Sequence, residues 1–319
     1  MAKDRILVIG AGGQLGSELT KKLQDVYGKH VVVATDVREQ AAFDGIFEVL
    51  DVLDAAGLDR ILQKEKFTQV YHLAAVLSAV GEKNPTLAWK INMDGLLNVL
   101  EAAVRFKIEK VYWPSSIAVF GPSTPRVNTP QDTIMDPTTV YGISKLAGER
   151  WCAWYNKKHG LDVRSLRYPG LIGYKSHPGG GTTDYAVDIF FKALTEHRFE
   201  CFLAPGTPLP MMYMEDALDS TLKLMAAPKE KITVRSSYNI GALSFSPEEL
   251  ASEIQAVIPD FTISYKPDFR QQIAESWPGS IDDSVSRRDW GWKPAFDLKA
   301  MVKEMLQRLP EHHNLVEAQ

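Results

Sequence analysis

The sequence predicts an α/β fold, a doubly wound parallel sheet with helices on both faces and a smaller mixed α/β lobe after it. Three observations carry this reading. Short apolar runs of strand length alternate with helical periodicity through the first half of the 319 residues. A glycine series follows the first apolar run directly. Acidic and small residues recur where successive strands end, which is where such sheets hold their ligands.

The first strand is Arg5-Ile6-Leu7-Val8-Ile9. Gly10, Gly13 and Gly16 then form a Gly-x-x-Gly-x-x-Gly series that runs through Gln14 and Leu15 into a helix with leucines at helical spacing. Small residues there allow a tight turn, close approach of the backbone to a pyrophosphate and close packing of helix on strand. The N–H groups of the helix start face the phosphates. A second strand, 31–35, ends at Asp36. A carboxylate at that point accepts from both ribose hydroxyls and repels a 2′-phosphate, which favours NAD over NADP in spite of the nearby Arg38.

Further along, strands are expected at 47–50, ending in Asp51, at 70–75 with a small-residue exit, at 110–114, ending in Ser115 and Ser116, and at 163–168. Helices are expected at 55–65 and 87–106 and around Tyr141. From Gly170 to Asp184 the chain is too rich in glycine and polar residues for a regular element, and a loop that long is more often functional than not. Helices at 185–195, 216–225, 247–258 and 298–309 and strands near Cys201 and at 237–241 suit the smaller lobe. The tail 311–319 reads as frayed, its histidines solvated. The expected division is 1–170 for the dinucleotide, with sheet additions from about 211–243, and 171–319 for the substrate.

Composition excludes several classes. A net charge of −4 gives no footprint for nucleic acid. The two cysteines, Cys152 and Cys201, lie far apart without metal-ligand spacing, so free thiols in a reducing compartment and no metal are expected. No apolar run approaches the ~18 residues of a membrane span. The first strand begins too early to leave room for a cleavable leader. The expected location is the cytoplasm.

Chemistry centres on Tyr141-Gly142-Ile143-Ser144-Lys145. A tyrosine and a lysine four apart share one helix face, about a turn apart. A phenol titrates near ~10 and is a poor base at neutral pH, and a neighbouring ammonium is expected to lower it. So tuned, it takes a proton from an alcohol while hydride leaves the carbon.

These residues resemble the extended short-chain dehydrogenase/reductase superfamily over nearly the whole chain. The likeness runs through the glycine series, Asp36, Asp51-Val52, His72-Leu73-Ala74-Ala75, Asn92, the Ser115-Ser116 segment, Tyr141-x-x-x-Lys145, Tyr213-Met-Glu-Asp216 and Trp290-Gly-Trp-Lys-Pro294. Within it, the segments 77–82, 168–186 and 275–278 are most similar to the short-chain type of L-threonine 3-dehydrogenase. Ile9 stands where the superfamily usually has threonine, and Pro114 where sugar-nucleotide members often have a third serine.

The resemblance implies a Rossmann fold and oxidation of the threonine β-hydroxyl to 2-amino-3-oxobutanoate with NAD. In it Tyr141 is the general base, Lys145 lowers its pKa and holds the nicotinamide ribose, and Ser116 holds the substrate hydroxyl, while Ser115 is structural. The implied cofactor shell adds Asp51, Val52, Leu73, Ala74 and Ala75, with Leu171 on the nicotinamide. Asn92 either belongs to that shell or bonds backbone. For the amino acid, the loop N–H groups around Gly181 and the hydroxyls of Thr182 and Thr183 make a carboxylate cradle, Ser78 is the other wall, and Trp277 is a lid or a core residue. Asp184 meets the ammonium or caps the next helix. Family members commonly pair as dimers through the 87–106 and Tyr141 helices, so a homodimer is expected.

Two rivals remain. A nucleotide-sugar epimerase or dehydratase of the same superfamily would need a cation near 208–211, and Pro208-Leu209-Pro210-Met211 has none. A non-catalytic NAD-binding regulatory protein would have lost Tyr141 or Lys145, and both are present.

Overall fold

The structure is a computed structural model describing residues 4–40, 43–179 and 181–314, the side chain of Ala79 excepted. By its internal contacts the chain forms two units. The first comprises the residues up to Val119, Thr139–Arg167 and Thr221–Tyr238. The second comprises Phe120–Thr138, Tyr168–Ser220 and the chain from Asn239 on.

In the first unit, β1 (Ile6–Ile9) is buried along its whole length. A strand without a polar face needs cover on both sides, and crossover helices supply it. The elements follow as α1 (Gln14–Tyr27), β2 (Val32–Asp36), β3 (Ile46–Val49), α2 (Ala55–Lys64) and β4 (Gln69–His72). Next come α3 (Ser78–Lys83), α4 (Pro85–Trp89), a π turn (Lys90–Asp94), α5 (Gly95–Arg105), β5 (Lys110–Tyr112) and β6 (Ser115–Ser116). The unit continues with α6 (Val140–His159), β7 (Asp162–Arg164) and the start of β8 (Leu166–Tyr168).

The central sheet has the order β3-β2-β1-β4-β5-β7, and all its pairings are parallel. The chain leaves β1 for β2 on one side and returns to β4 on the other. The switch point therefore lies at the carboxyl ends of β1 and β4, where Gly10 and Leu73 follow. One core face is built from Val70, Val111 and Val163 of the sheet with Leu96, Val99 and Leu100 of α5 and Cys152 and Tyr155 of α6.

Two expectations need correction here. The helix read as 87–106 begins at Pro85 and carries the π turn at its middle. The strand read as 163–168 is two short strands, β7 and β8. A third difference is α3, for which no expectation was stated, because six residues are too few for a periodic signal.

The second unit contains β9 (Gly170–Ile172), α7 (Tyr185–Glu196), β10 (Arg198–Cys201) and β11 (Leu209–Tyr213). After α8 (Met214–Ala226) and β12 (Tyr238–Asn239), it adds β13 (Leu243–Phe245), α9 (Pro247–Gln255), β14 (Thr262–Tyr265), α10 (Phe269–Ser276), α11 (Ser284–Trp290) and α12 (Leu298–His313). β11 pairs with β9 in parallel and with β13 antiparallel, and β10 pairs with β14 in parallel.

The stretch read as irregular from Gly170 opens with strand β9. The expected tail is helical through His313, whose Nε2 lies 2.7 Å from the Tyr174 carbonyl oxygen. Residues 315–319 lie outside the described residues. The Asp216 carboxylate accepts from the N–H groups of Ala295 and Phe296 at 2.8 and 3.2 Å, which fixes the chain just after the Trp290–Pro294 motif.

Candidate active site

The glycine turn is built as its chemistry requires. Gly10 has φ +87°, and a Cβ there would lie 2.5 Å from the Ala74 nitrogen. A Cβ on Gly16 would collide with the Gly10 carbonyl oxygen, so α1 seats directly on the turn. The N–H groups of Gly10 and Ala11 both donate to Thr35 O at 2.9 Å, which fixes the turn beside the end of β2. There Asp36 Oδ2 accepts from Gly12 N–H at 2.9 Å, and its side chain remains partly exposed. Gln14 and Leu15 open α1, whose N-cap Gly13 offers no side-chain oxygen, so first-turn N–H groups are left for an anion. A side-chain-free cradle ending at a carboxylate fits the pyrophosphate and ribose of NAD.

The rest of the expected shell divides by use. The Leu73 and Ala74 N–H groups donate to Ile9 O at 2.8 and 3.1 Å, so their backbone ties the exit of β4 to the end of β1 at the switch point, and Ala75 is half-buried. Asp51 Oδ1 accepts from Leu53 N–H at 2.9 Å in a local turn, with the residue exposed. Val52 is buried against Gly95, where a Cβ would meet its Cγ1 at 2.8 Å.

Asn92 is buried in the π turn. It accepts from Val76 N–H at 2.7 Å, donates to Val76 O at 3.1 Å and donates to Ser144 Oγ at 3.1 Å. These bonds clamp the segment after β4 to α6.

Helix α6 starts at a doubly held N-terminus. Thr139 Oγ1 accepts from Gly142 N–H at 3.0 Å, and Glu82 of α3 accepts from Val140 N–H at 2.7 Å. Tyr141 thus stands in a fixed first turn. Its phenol lies close enough to the Ser116 side chain for that hydroxyl to favour the phenolate. Lys145 is buried; its Nζ donates to Pro114 O at 2.6 Å and lies 4.5 Å from the Trp113 ring centroid and 5.5 Å from that of Tyr141. Ser116, Tyr141 and Lys145 are therefore brought together.

The electrostatics differ from expectation. Burial pushes the Tyr141 phenol up to about 12, and the Ser116 hydrogen bond pulls the other way. Burial pulls Lys145 down to about 7, against the upward pull of Cys152 and Glu149. The phenol is thus not lowered by its lysine in this arrangement, because desolvation outweighs the pairing.

Ser115 is structural, as the resemblance implied. Its hydroxyl donates to Glu149 Oε1 at 2.7 Å, and Arg167 donates to the same carboxylate from Nε and Nη2 at 2.9 and 2.8 Å. Sequence reasoning missed Glu149, although its place four residues past Lys145 was a readable signal. It also missed His72 as a buried group. That imidazole, at the end of β4, has neither ring nitrogen hydrogen-bonded, and burial holds it down to about 3.

Ser78 is the half-buried first residue of α3. The remaining expected residues belong to the second unit. Leu171 is in β9, and Thr183 packs on its neighbour Gly170, where a Cβ would come within 2.8 Å of the Thr183 Cβ. Thr182 is buried. The Asp184 carboxylate accepts from Gly179 N–H at 2.6 Å and Gly181 N–H at 2.9 Å. It therefore braces its own loop and does not cap α7 through its side chain. Those two N–H groups are occupied and make no carboxylate cradle; Gly180 lies outside the described residues. Trp277 is buried at the end of α10.

The glycine cradle, the acidic strand end and the Ser116-Tyr141-Lys145 group together define a nicotinamide-dependent class of protein. The sequence profile of the NAD dependent epimerase/dehydratase family matches residues 6–241, and the chain belongs to that family. Its cofactor is NAD. An uncharacterized epimerase/dehydratase of Staphylococcus saprophyticus is 49% identical over 310 residues, 96% of this chain and 97% of its own. Among solved structures, a GalE-like L-threonine dehydrogenase from Cupriavidus necator, in its holo form, is 54% identical with a TM-score of 0.94, covering 96% of this chain and 99% of its own. The L-threonine dehydrogenase of Clostridium difficile is 47% identical with a TM-score of 0.95, covering 98% and 99%.

Proposed function

We propose that the chain oxidises L-threonine at its β-hydroxyl, giving 2-amino-3-oxobutanoate, NADH and a proton, with Tyr141 as general base. The observation that carries the chemistry is the placing of the Tyr141 phenol beside Ser116, one helical turn from buried Lys145. Likeness to L-threonine dehydrogenases over nearly the whole chain supports the substrate.

NAD, when bound, supplies the hydride acceptor and a positively charged ring. The chain's residues do the rest. Tyr141 Oη takes the hydroxyl proton, and Ser116 Oγ holds that hydroxyl and donates to the carbonyl oxygen as it forms. Burial opposes the phenolate and the ammonium singly, so the two charges are best formed together. Their mutual attraction favours the charged pair, and positive charge brought to the site on binding favours the phenolate further.

We assign the dinucleotide to residues 1–170, with additions from about 211–243, and the amino acid to 171–319. Leu171 then faces the nicotinamide, while Ser78, Gly181, Thr182, Thr183 and Trp277 surround threonine. A second copy of the chain would cover the exposed Leu87 and Trp89 of α4 and Ile143, Trp151 and Trp154 of α6. Both cysteines are free and buried, in keeping with a reducing cytoplasm. Among the described residues no helix is long and apolar enough to cross a membrane.

Against the nucleotide-sugar reading, the segment before Tyr213 carries no cation and β11 is buried throughout. The test is NADH formation with L-threonine, other amino acids and UDP-glucose at saturating NAD. Threonine alone should give a strong signal; silence with threonine and epimerisation of UDP-glucose would replace the proposal with its rival.

A further inference from the structure

Three consecutive residues lie against one face of α6. The Pro114 carbonyl accepts from Lys145 Nζ, the Ser115 hydroxyl donates to Glu149, and the Ser116 side chain stands beside the Tyr141 phenol. Tyr141, Lys145 and Glu149 are each four residues apart, one turn after the next. The first two carry the proposed chemistry. Glu149, fully buried, does not enter it.

We propose that Glu149 is a positioning residue for the Ser116-Tyr141-Lys145 group: through Ser115 it fixes the register of residues 114–116 against α6, and it supplies the buried negative charge that holds the Lys145 ammonium. Ser115 precedes Ser116 in β6, so a bond that pins one hydroxyl sets the backbone that aims the next. The charge argument follows from what surrounds Lys145. Tyr141, Glu149 and Cys152 face it from α6, His72 from β4, and the Trp113 ring and Pro114 carbonyl from the β5–β6 side.

Burial keeps Tyr141 a phenol, His72 a neutral imidazole and Cys152 a thiol well above its usual range. Among these groups Glu149 is the one held in an ion pair, with Arg167 Nη2 at 2.8 Å. Arg167, reaching the carboxylate from β8 with two hydrogen bonds, allows it to be buried.

This inference rests on the roles proposed for Tyr141 and Lys145, and not on threonine as substrate. Its deciding measurement needs no substrate. The side-chain signals of carbon-13-labelled lysine are followed by NMR against pH, with Lys145 assigned by its loss in Lys145→Met. Glu149→Gln should move the Lys145 midpoint to lower pH by about one unit, while NAD affinity changes by less than about threefold, since the cradle is untouched.

Single removal of one partner of a buried pair can unfold the protein, so Glu149→Gln with Arg167→Gln is the second variant. It should fold as a neutral pair and keep the Lys145 midpoint displaced. Ser115→Ala leaves the charge in place and should leave the midpoint where it was while turnover falls. A wild-type Lys145 midpoint in the double variant would overturn the proposal. Full turnover by Lys145→Met would instead count against the reading of the active site itself.

Discussion

Lys145 Nζ donates to the Pro114 carbonyl oxygen at 2.6 Å and meets Tyr141 only through its ring, 5.5 Å from the centroid. The ammonium is thus held by the strand end that also carries Ser116, and the base and its counter-charge share a helix without a direct bond. A phenol pushed up to about 12 and an amine pulled down to about 7 describe a site whose charges form only as a pair.

Tyr141→Phe should bind NAD almost normally and lose turnover by roughly 10²–10⁴-fold. In the wild type, kcat/KM should rise from neutral toward alkaline pH as the Tyr141–Lys145 pair loses its first proton, and fall again where the pair loses its second. The profile reports the pair, so its two limbs belong to neither residue alone. Stopped-flow turnover across pH 6 to ~10.5, near free-lysine titration, checks this; a flat wild-type profile would remove the phenolate from the account.

Ser116→Ala should cut turnover by about 10²-fold or more, since it removes the donor to the forming carbonyl oxygen. Ser115→Ala should cost less in turnover and more in stability, because it leaves Glu149 short of one buried partner, worth about 1–3 kcal/mol. Steady-state rates and urea unfolding on both variants decide it. The reverse order would move the catalytic hydroxyl to Ser115.

His72 gives a pH dependence of stability with a definite sign. Its folded value, about 3, lies below the ordinary 6.5. The unfolded chain therefore binds more protons between those values, and stability falls as pH drops through that window. Between pH 6.5 and 5 this one group should cost about 2 kcal/mol. In His72→Leu that part of the loss should vanish. Urea unfolding at pH 7 and 5 on both proteins measures the difference, and equal slopes would show that His72 is not protonated on unfolding.

Asp36→Ser should weaken NAD by roughly ten- to a hundredfold, the worth of a charged hydrogen-bond acceptor, and admit NADP. The exposed Arg38, whose N–H lies 3.4 Å from Asp36 Oδ1, is placed to meet the added phosphate. Cofactor titration of both proteins tests this; a wild type that prefers NADP would show that Arg38 outweighs the carboxylate.

Much of the first unit was legible because its signals are local. Four apolar residues before a glycine turn read as a buried strand, and the Tyr141/Lys145 spacing reads as one helix face. What was hidden depends on long-range contacts. β11 is Leu-Pro-Met-Met-Tyr, with a proline and no alternation, and only its buried place between β9 and β13 makes it a strand. β9 begins in a glycine-rich stretch whose pairing with β11 lies some forty residues away. The π turn shows no pattern of its own; it is fixed by Asn92 reaching Val76 and Ser144. Electrostatics were hidden for the same reason, since the sequence shows a cation beside a phenol and burial decides the sign. Asp184 misled because a carboxylate before a helix reads as a cap, whereas this one turns back to Gly179 and Gly181.

The central claim is that hydride leaves the β-carbon of threonine. L-Threonine deuterated at that carbon should give NADH carrying the label, with turnover slowed only if hydride transfer limits the rate. Analysis of the isolated NADH by mass spectrometry reads the outcome directly. One deuterium per NADH is the predicted result; unlabelled NADH, or no reduction of NAD by threonine at all, would contradict the account.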